Sequence, residues 1–324
     1  MEINQKLAAS TLTNEPFIVH KKPFLTKFKK TIKKDWQLYS FLFFPLLWVV
    51  IFKYIPMVGN IIAFRRFFPG GNIWGEEWVG IHFFNMFISD PIFWSVFQNT
   101  FLLGFFTLIW TFPMPIIFAL LLNELKSRMF KKIVQTLSYL PHFLSIVVVI
   151  GLIQQMTALE GPINQIIVFF GGDRIPFMQQ AEWFRTIFIT SRIWQTTGWG
   201  TILYLAALTN IDPTLYEAAK VDGANRWQQT VHITLPGIAP TIITLLILNV
   251  GWVMGVNFEQ VLLQQNPLVY STGDVISTYL FRLGLTANQF SYATAIGLFE
   301  SLIGITLLTI TNFLSRKLTD SSLW

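Results

Sequence analysis

Six apolar stretches, at about 38–62, 94–122, 133–156, 186–209, 237–258 and 292–314, each reach the roughly 20 residues a helix needs to cross a bilayer. Within lipid every backbone polar group must be bonded inside the protein, so repeated stretches of this length specify an all-α, polytopic bundle of six transmembrane helices. Only 12% of the residues are charged, about half the share found in a soluble domain. The expected division is a basic tail over 1–35, a transmembrane domain over 36–316 and a short tail over 317–324. Residues 1–35 contain no apolar core of a signal peptide, so the first span is expected to remain as an uncleaved anchor.

An even number of spans puts both termini on one side, and the basic residues say which. The tail, the loops 123–132 and 210–236 and the C-terminal end carry sixteen Lys and Arg, against five in the loops 63–93, 157–185 and 259–291. Lysine and arginine accumulate in cytoplasmic loops, so the termini and the 210–236 loop are expected to be cytoplasmic. The adjacent Arg65 and Arg66 are the main departure. The net charge of +6 thus marks membrane topology and not nucleic-acid binding. Trp36, Trp94, Trp183 and Tyr292 fall near span ends, where interfacial aromatic belts form. The segments WVGIHFFNMFIS and INQIIVFF are too short to cross and are expected as surface or re-entrant helices.

Residues 212–236 form a soluble-looking amphipathic segment between two spans. Asp212 can cap a helix beginning at Pro213, where the missing N–H costs nothing. Gly223 can supply a left-handed exit. A second short helix is expected from Asn225 to about Thr234, with Pro236 and Pro240 closing the segment and starting the next span. The spacing Glu217-Ala218-Ala219, three residues, Gly223, nine residues, Ile233, one residue, Leu235-Pro236 resembles the EAA signature of permease subunits of bacterial ATP-binding-cassette importers. A bare Glu-Ala-Ala is also what any surface helix favours.

The resemblance extends over nearly the whole chain. KKDWQLYSFLFFPLLWVVIFKYIPMVGNIIAF, FQNTF, YLPHF, WQTTGW, YLAALTNIDP and NPLVYSTGDVISTYLFRLGL are similar to sugar-importer permeases of the LplB kind, including those for alginate oligosaccharides. It implies the type I importer fold, a bacterial inner-membrane location and carbohydrate import by alternating access. It also implies a cytoplasmic coupling helix in which Glu217, Ala218, Ala219, Asp222, Gly223, Ile233, Leu235 and Pro236 dock on an ATPase. The partners implied are a second homologous permease, two ATP-binding-cassette ATPase subunits using ATP and Mg, and an extracytoplasmic solute-binding protein. The chain lacks the large external domain of the maltose-importer subunit, so that subunit's sugar contacts are not carried over.

The chain's own chemistry fits a permease. It has no cysteine, its four histidines show no ligand spacing, and no GxxxxGK[ST] phosphate loop occurs. No metal or cofactor is expected in the chain, and it is not expected to be an enzyme. Trp194, Tyr204, Asn249, Trp252 and Asn257, with Trp199, lie in the spans flanking the 210–236 loop. Aromatic faces and amides suit sugar rings, though span aromatics more often simply pack. Lys53 and Arg192 are cations within spans, with structural snorkelling as the default and attraction of an acidic substrate as the alternative. Glu300 is the acid best placed for an ion-coupled carrier, against a structural hydrogen-bonded carboxylate. A membrane enzyme acting on lipid-linked sugars is the remaining alternative. Gly251 and Gly255 form a GxxxG in the fifth predicted span, suited to close packing within the chain or against a partner.

Overall fold

The computed structural model describes residues 34–72 and 74–319. Most of the predicted 1–35 and 317–324 tails lies outside the described residues. Contacts divide the chain after Gly59. In the first unit, α1 (Trp36–Val49) continues through a π-helical turn, Val50–Tyr54, into a helical turn Ile55–Val58, and no residue of the three is buried. The π turn precedes Pro56. A proline cannot donate to the carbonyl four residues back and its ring crowds it, so the widened turn carries the helix past the defect.

The second unit begins with a short antiparallel pair, β1 (Arg65–Arg66) and β2 (Glu77–Trp78). It accounts for the two basic residues that departed from the expected charge pattern. Arg66 pairs with Glu77 at 3.3 Å, and Arg65 Nη2 donates to the Glu76 carbonyl at 3.2 Å. WVGIHFFNMFIS yields α2 (His82–Ile88). The predicted span 94–122 is two helices, α3 (Pro91–Thr111) and α4 (Pro113–Glu124), divided where Pro113 removes a donor.

The predicted span 133–156 is corrected more deeply. Its first part belongs to α5 (Arg128–Tyr139), which is followed by a 3-10 stretch, Leu140–Phe143, and only then by α6 (Ile146–Thr157) and α7 (Pro162–Phe169). Pro141 and the Ser145 cap, whose side chain accepts from Val148 N–H at 3.4 Å, separate the pieces. Helix α5 is amphipathic, with Met129, Phe130, Ile133 and Leu137 exposed beside Arg128, Lys131 and Lys132. The 212–236 segment is therefore one of two such pieces.

Helix α8 (Ala181–Leu208) is the axis of the unit. Near one end Leu103, Phe184, Phe188, Val261 and Val275 share a core cluster, and near the other Ala119 of α4 packs with Tyr204 and Leu208. A third cluster joins Phe87, Phe93, Met254, Ile276, Tyr279, Tyr292 and Ile296. Tyr292, expected in an interfacial belt, is instead buried in this cluster. Among the described residues five helical stretches, Trp36–Phe64, Pro91–Glu124, Ile146–Phe169, Arg226–Gly251 and Phe290–Lys317, are long and apolar enough to cross a membrane. Helix α8 adds a sixth long helix, made more polar by Glu182, Arg185 and Arg192.

After α8 come α9 (Pro213–Val221) and α10 (Arg226–Gln229), then a π turn, Thr230–Thr234, which runs directly into α11 (Leu235–Gly251). Pro236 stands in the first turn of α11, where the next span was expected to start, and the segment joins that helix without a break. As before Pro56, the π turn absorbs the missing donor: Leu235 N–H reaches back to Thr230 O. The helix ends at Gly251, seven residues short of the expected 258. Gly255 therefore lies outside the helix, and the expected GxxxG is not a helical face. Gly251 serves packing within the chain, since a Cβ there would lie 2.4 Å from Leu308. Beyond it are α12 (Phe258–Gln264), α13 (Ile276–Phe281) and α14 (Phe290–Thr319).

Candidate functional site

The segment between α8 and α11 is built by local bonds. Asp212 Oδ1 accepts from Thr214 N–H at 2.9 Å, with Pro213 in the first turn. These bonds from Thr214, the backbone one foremost, hold the Asp212 carboxyl below its ordinary range. Gly223 has φ +78°, the left-handed geometry expected of it. Asn225 and Gln228 then form a reciprocal capping box, with bonds of 2.9 and 2.8 Å.

Two further bonds make the pair of helices one body. Tyr216 Oη and Thr234 Oγ1 lie 2.9 Å apart, and Gln229 Nε2 donates to the Ala224 carbonyl at 2.9 Å. Gln229 and Thr234 are buried. At the joint with α11, Ile211 fills the space a Cβ on Gly237 would take, at 2.9 Å. Arg226 also pairs with Glu124 at the end of α4, at 2.8 Å.

Ala219, Asp222, Gly223 and Ile233 line one open cleft of about 380 Å³ between the two helices. Glu217 and Ala218 are exposed on α9, and Glu217 has no hydrogen-bond or ionic partner among the described residues. Leu235 and Pro236 lie instead in the first turn of α11. The prominent exposed apolar groups are Leu215, Val221 and Trp227, the last two 89% and 74% accessible. These three were not singled out in sequence, where a lone apolar residue on a polar helix carries no signal. The result is a rigid protrusion with an apolar tip, continuous with α11.

A second constellation lies between α3, α8 and the turn after α11. Arg192, Asn249, Trp252 and Asn257 line a cavity of about 110 Å³ together with Thr107 and Thr111. Close contact of α3 with that turn shapes it, since a Cβ on Gly104 would fall 1.8 Å from the Val253 carbonyl oxygen. Three of the five expected substrate-path residues are thus brought together. Tyr204 is packed in the cluster with Ala119 and Ile238, and Trp194 is half-exposed on α8 away from the cavity lining. Trp199 stacks on His142 at 4.6 Å. Glu300 lines a second groove of about 360 Å³ with Gly304, which shares Trp252 and Gly255 with this cavity.

Comparison with known proteins places this architecture. Residues 111–320 match the family described as binding-protein-dependent transport system inner membrane component. The chain is 42% identical to protein LplB of Bacillus subtilis over 294 residues, 90% of this chain and 92% of that one. It is 44% identical to the polygalacturonan/rhamnogalacturonan transport system permease protein YteP of the same organism, over 86% and 87% of the two chains. A chain from the crystal structure of a bacterial ABC transporter involved in import of the acidic polysaccharide alginate superposes with a TM-score of 0.83. Identity to it is 41%, covering 90% of this chain and 99% of that one. The same transporter in complex with alginate pentasaccharide-bound periplasmic protein matches equally well, with a TM-score of 0.83 and 41% identity over 91% and 99%. The chain belongs to the family of binding-protein-dependent transport system inner membrane components.

Proposed function

We propose that closure of two separate ATPase subunits on ATP and Mg drives this permease subunit of a carbohydrate importer, through the protrusion between α8 and α11. The protrusion is held rigid by the Asp212 cap, the capping box and the Tyr216–Thr234 bond, and it continues without a break into α11. That continuity is the observation that carries the mechanism: a force on α9 and α10 moves α11 as one lever. The exposed Leu215, Val221 and Trp227, with Glu217 and Ala218 beside them, are the docking face.

Binding-protein-dependent import of carbohydrate follows from the relatives, whose names include polygalacturonan, rhamnogalacturonan and alginate systems. Polyuronide oligosaccharides are the substrate class they share. The assembly then comprises a second homologous permease, two ATPases and an extracytoplasmic binding protein. The chain has six spans, counting α8, with both termini cytoplasmic as the distribution of Lys and Arg requires. ATP-bound closure favours one orientation of the cavity over the other, and this difference is what permits a ligand to drive the change.

The test is uptake of labelled oligogalacturonate into vesicles carrying the complete importer and its binding protein. Uptake is expected to require ATP and to persist when ion gradients are collapsed. Uptake that follows an ion gradient without ATP would favour a carrier using Glu300, and chemically altered sugar would indicate an enzyme.

A further inference from the structure

The arginines of the loops 63–93, 157–185 and 259–291 are set apart from Arg192, which lies inside a predicted span. Arg65, Arg66, Arg174, Arg185 and Arg282 each donate to an oxygen of this chain: the Glu76 carbonyl, Glu77, Glu160, Asn99 and Asp274. Arg192 has no such partner for its guanidinium among the described residues. It is the twelfth residue of α8, about 17 Å along the helix from Ala181. That position falls inside the fourth predicted span, 186–209. A cation at such depth is costly unless paired, and a structural arginine would have recruited a carboxylate or carbonyls.

The surroundings of Arg192 are those of a ligand site. Thr107 Oγ1, in the same cavity, is buried without a hydrogen-bond partner. Asn249 uses its Nδ2 on the Leu245 carbonyl at 2.7 Å, which leaves Oδ1 to accept. Asn257 uses Oδ1 on Gln260 N–H at 2.9 Å, which leaves Nδ2 to donate. Trp252, 73% accessible, supplies a flat apolar face. The cavity therefore holds one fixed cation, an unpaired hydroxyl, one free acceptor, one free donor and an aromatic wall.

We propose that Arg192 is the specificity-determining residue of this cavity, receiving the carboxylate of a uronate residue while Asn249, Asn257 and Thr107 take its hydroxyls. A planar guanidinium matches a carboxylate with two parallel bonds, and the missing counter-charge arrives with the substrate. A neutral hexose leaves the cation unpaired and is disfavoured. The assignment rests on the polyuronide import proposed above, and adds to it the residue that reads the carboxylate.

The experiment uses the complete purified importer without its binding protein, with trigalacturonate and its carboxyl-reduced, neutral counterpart as probes of equilibrium binding. Wild type is expected to prefer the acidic trisaccharide. Arg192→Gln should weaken trigalacturonate binding about tenfold or more, the scale of one charge-assisted contact, and leave the neutral probe unaffected. Arg192→Lys should keep part of the preference, and rising salt should weaken only the acidic probe. Equal loss of both probes in Arg192→Gln, or an unchanged preference, overturns the assignment. Uptake in vesicles separates the two levels: a wild type that imports no saccharide removes the carbohydrate function itself, whereas normal trigalacturonate import by Arg192→Gln removes only the role of Arg192.

Discussion

The protrusion between α8 and α11 and the assembly around α12–α14 are both rich in polar side chains, yet they use them differently. In the protrusion the caps are short in sequence and solvent-exposed, Thr214 N–H to Asp212 and Gln228 N–H to Asn225, and a half-buried bond, Tyr216 to Thr234, ties the two helices. In the assembly the bonds are distant in sequence and buried. Asn99 Nδ2 donates to the carbonyls of Ser271 and Asp274 at 3.0 and 3.2 Å, and Tyr279 Oη donates to Asp90 at 2.8 Å. Gln260 Nε2 donates to Ser191 Oγ at 2.9 Å. Buried bonds of this kind fix one arrangement at high cost of disruption, whereas exposed caps shape a surface that can still be gripped and released. The assembly is built to stay, the protrusion to be pushed.

The largest effect should come from the buried side of this contrast. Asp274 is 8% accessible at its side chain, accepts from Arg282 at 2.9 and 2.5 Å and from Thr278 Oγ1 at 2.9 Å. Arg282 also lies over the Tyr270 ring, 4.9 Å from its centre. Asp274→Ala strands the guanidinium and should cost about 3 kcal/mol, read as a lowered midpoint of thermal unfolding of the assembled importer. The hydrogen bond that Arg282 donates to Asp274, opposed by desolvation, raises the Arg282 pKa above its ordinary value. A raised pKa gives stability that is complete below the unfolded value and lost only as pH rises through the folded one. The Arg282 contribution should therefore stay constant from about pH 5 to 9.

Next in size is Gly223→Val. Nothing lies within 4 Å of a Cβ at Gly223, so the penalty is confined to the backbone at φ +78°, about 1 to 3 kcal/mol of local strain. Insertion and the unfolding midpoint should be near wild type, since the spans are untouched. Coupled uptake should fall, because α10 leaves the turn at the wrong angle. A variant that lowers the midpoint as much as Asp274→Ala while keeping coupling would erase the distinction between the regions.

What was legible in sequence follows the same division. The Asp212 cap, the Pro213 start and the Gly223 exit depend on residue types within a few positions, and the structure carries all three. The prolines misled because their cost was judged locally. Pro236 was read as the start of the span, and α11 does begin at Leu235, but a π turn over Thr230–Thr234 joins it to the segment without a break. Hydropathy also merged α5 with α6, since an exposed apolar stripe adds to a running average as a true span does. The Asp274–Arg282 and Asn99 networks left no trace, because their partners are far apart or look like ordinary loop residues. Arg192 was noticed, but only the structure shows that it has no acceptor among the described residues and that Asn249 and Asn257 share its cavity.

A smaller effect on folding, with a larger one on function, is expected at Glu217. Its carboxylate is exposed and unbonded among the described residues, so Glu217→Ala should leave the unfolding midpoint of the isolated permease near wild type. In the assembly it should lower the ratio of sugar moved to ATP hydrolysed, and Glu217→Lys should lower it further, since a wrong charge in a partly desolvated interface costs several kcal/mol. A wild-type ratio in both variants would shift docking to the apolar tip at Val221 and Trp227.

The smallest effect is expected at Asp212, where charge and cap can be separated. The cap needs an oxygen that accepts from Thr214 N–H, and asparagine supplies one as well as aspartate does. Asp212→Asn should keep α9 intact, with amide exchange in 213–217 close to wild type, and Asp212→Ala should speed exchange there while sparing α11. The Asp212 pKa is lowered by the bonds from Thr214, so the carboxylate's contribution is present above its ordinary value near 3.8 and is lost as pH falls through the lower folded value. Wild-type α9 should therefore loosen only in strongly acidic solution, and the asparagine variant should lack that acid step. If Asp212→Ala instead slows or speeds exchange in α11 as much as in α9, the cap is holding the span itself, and the protrusion is not a self-contained body.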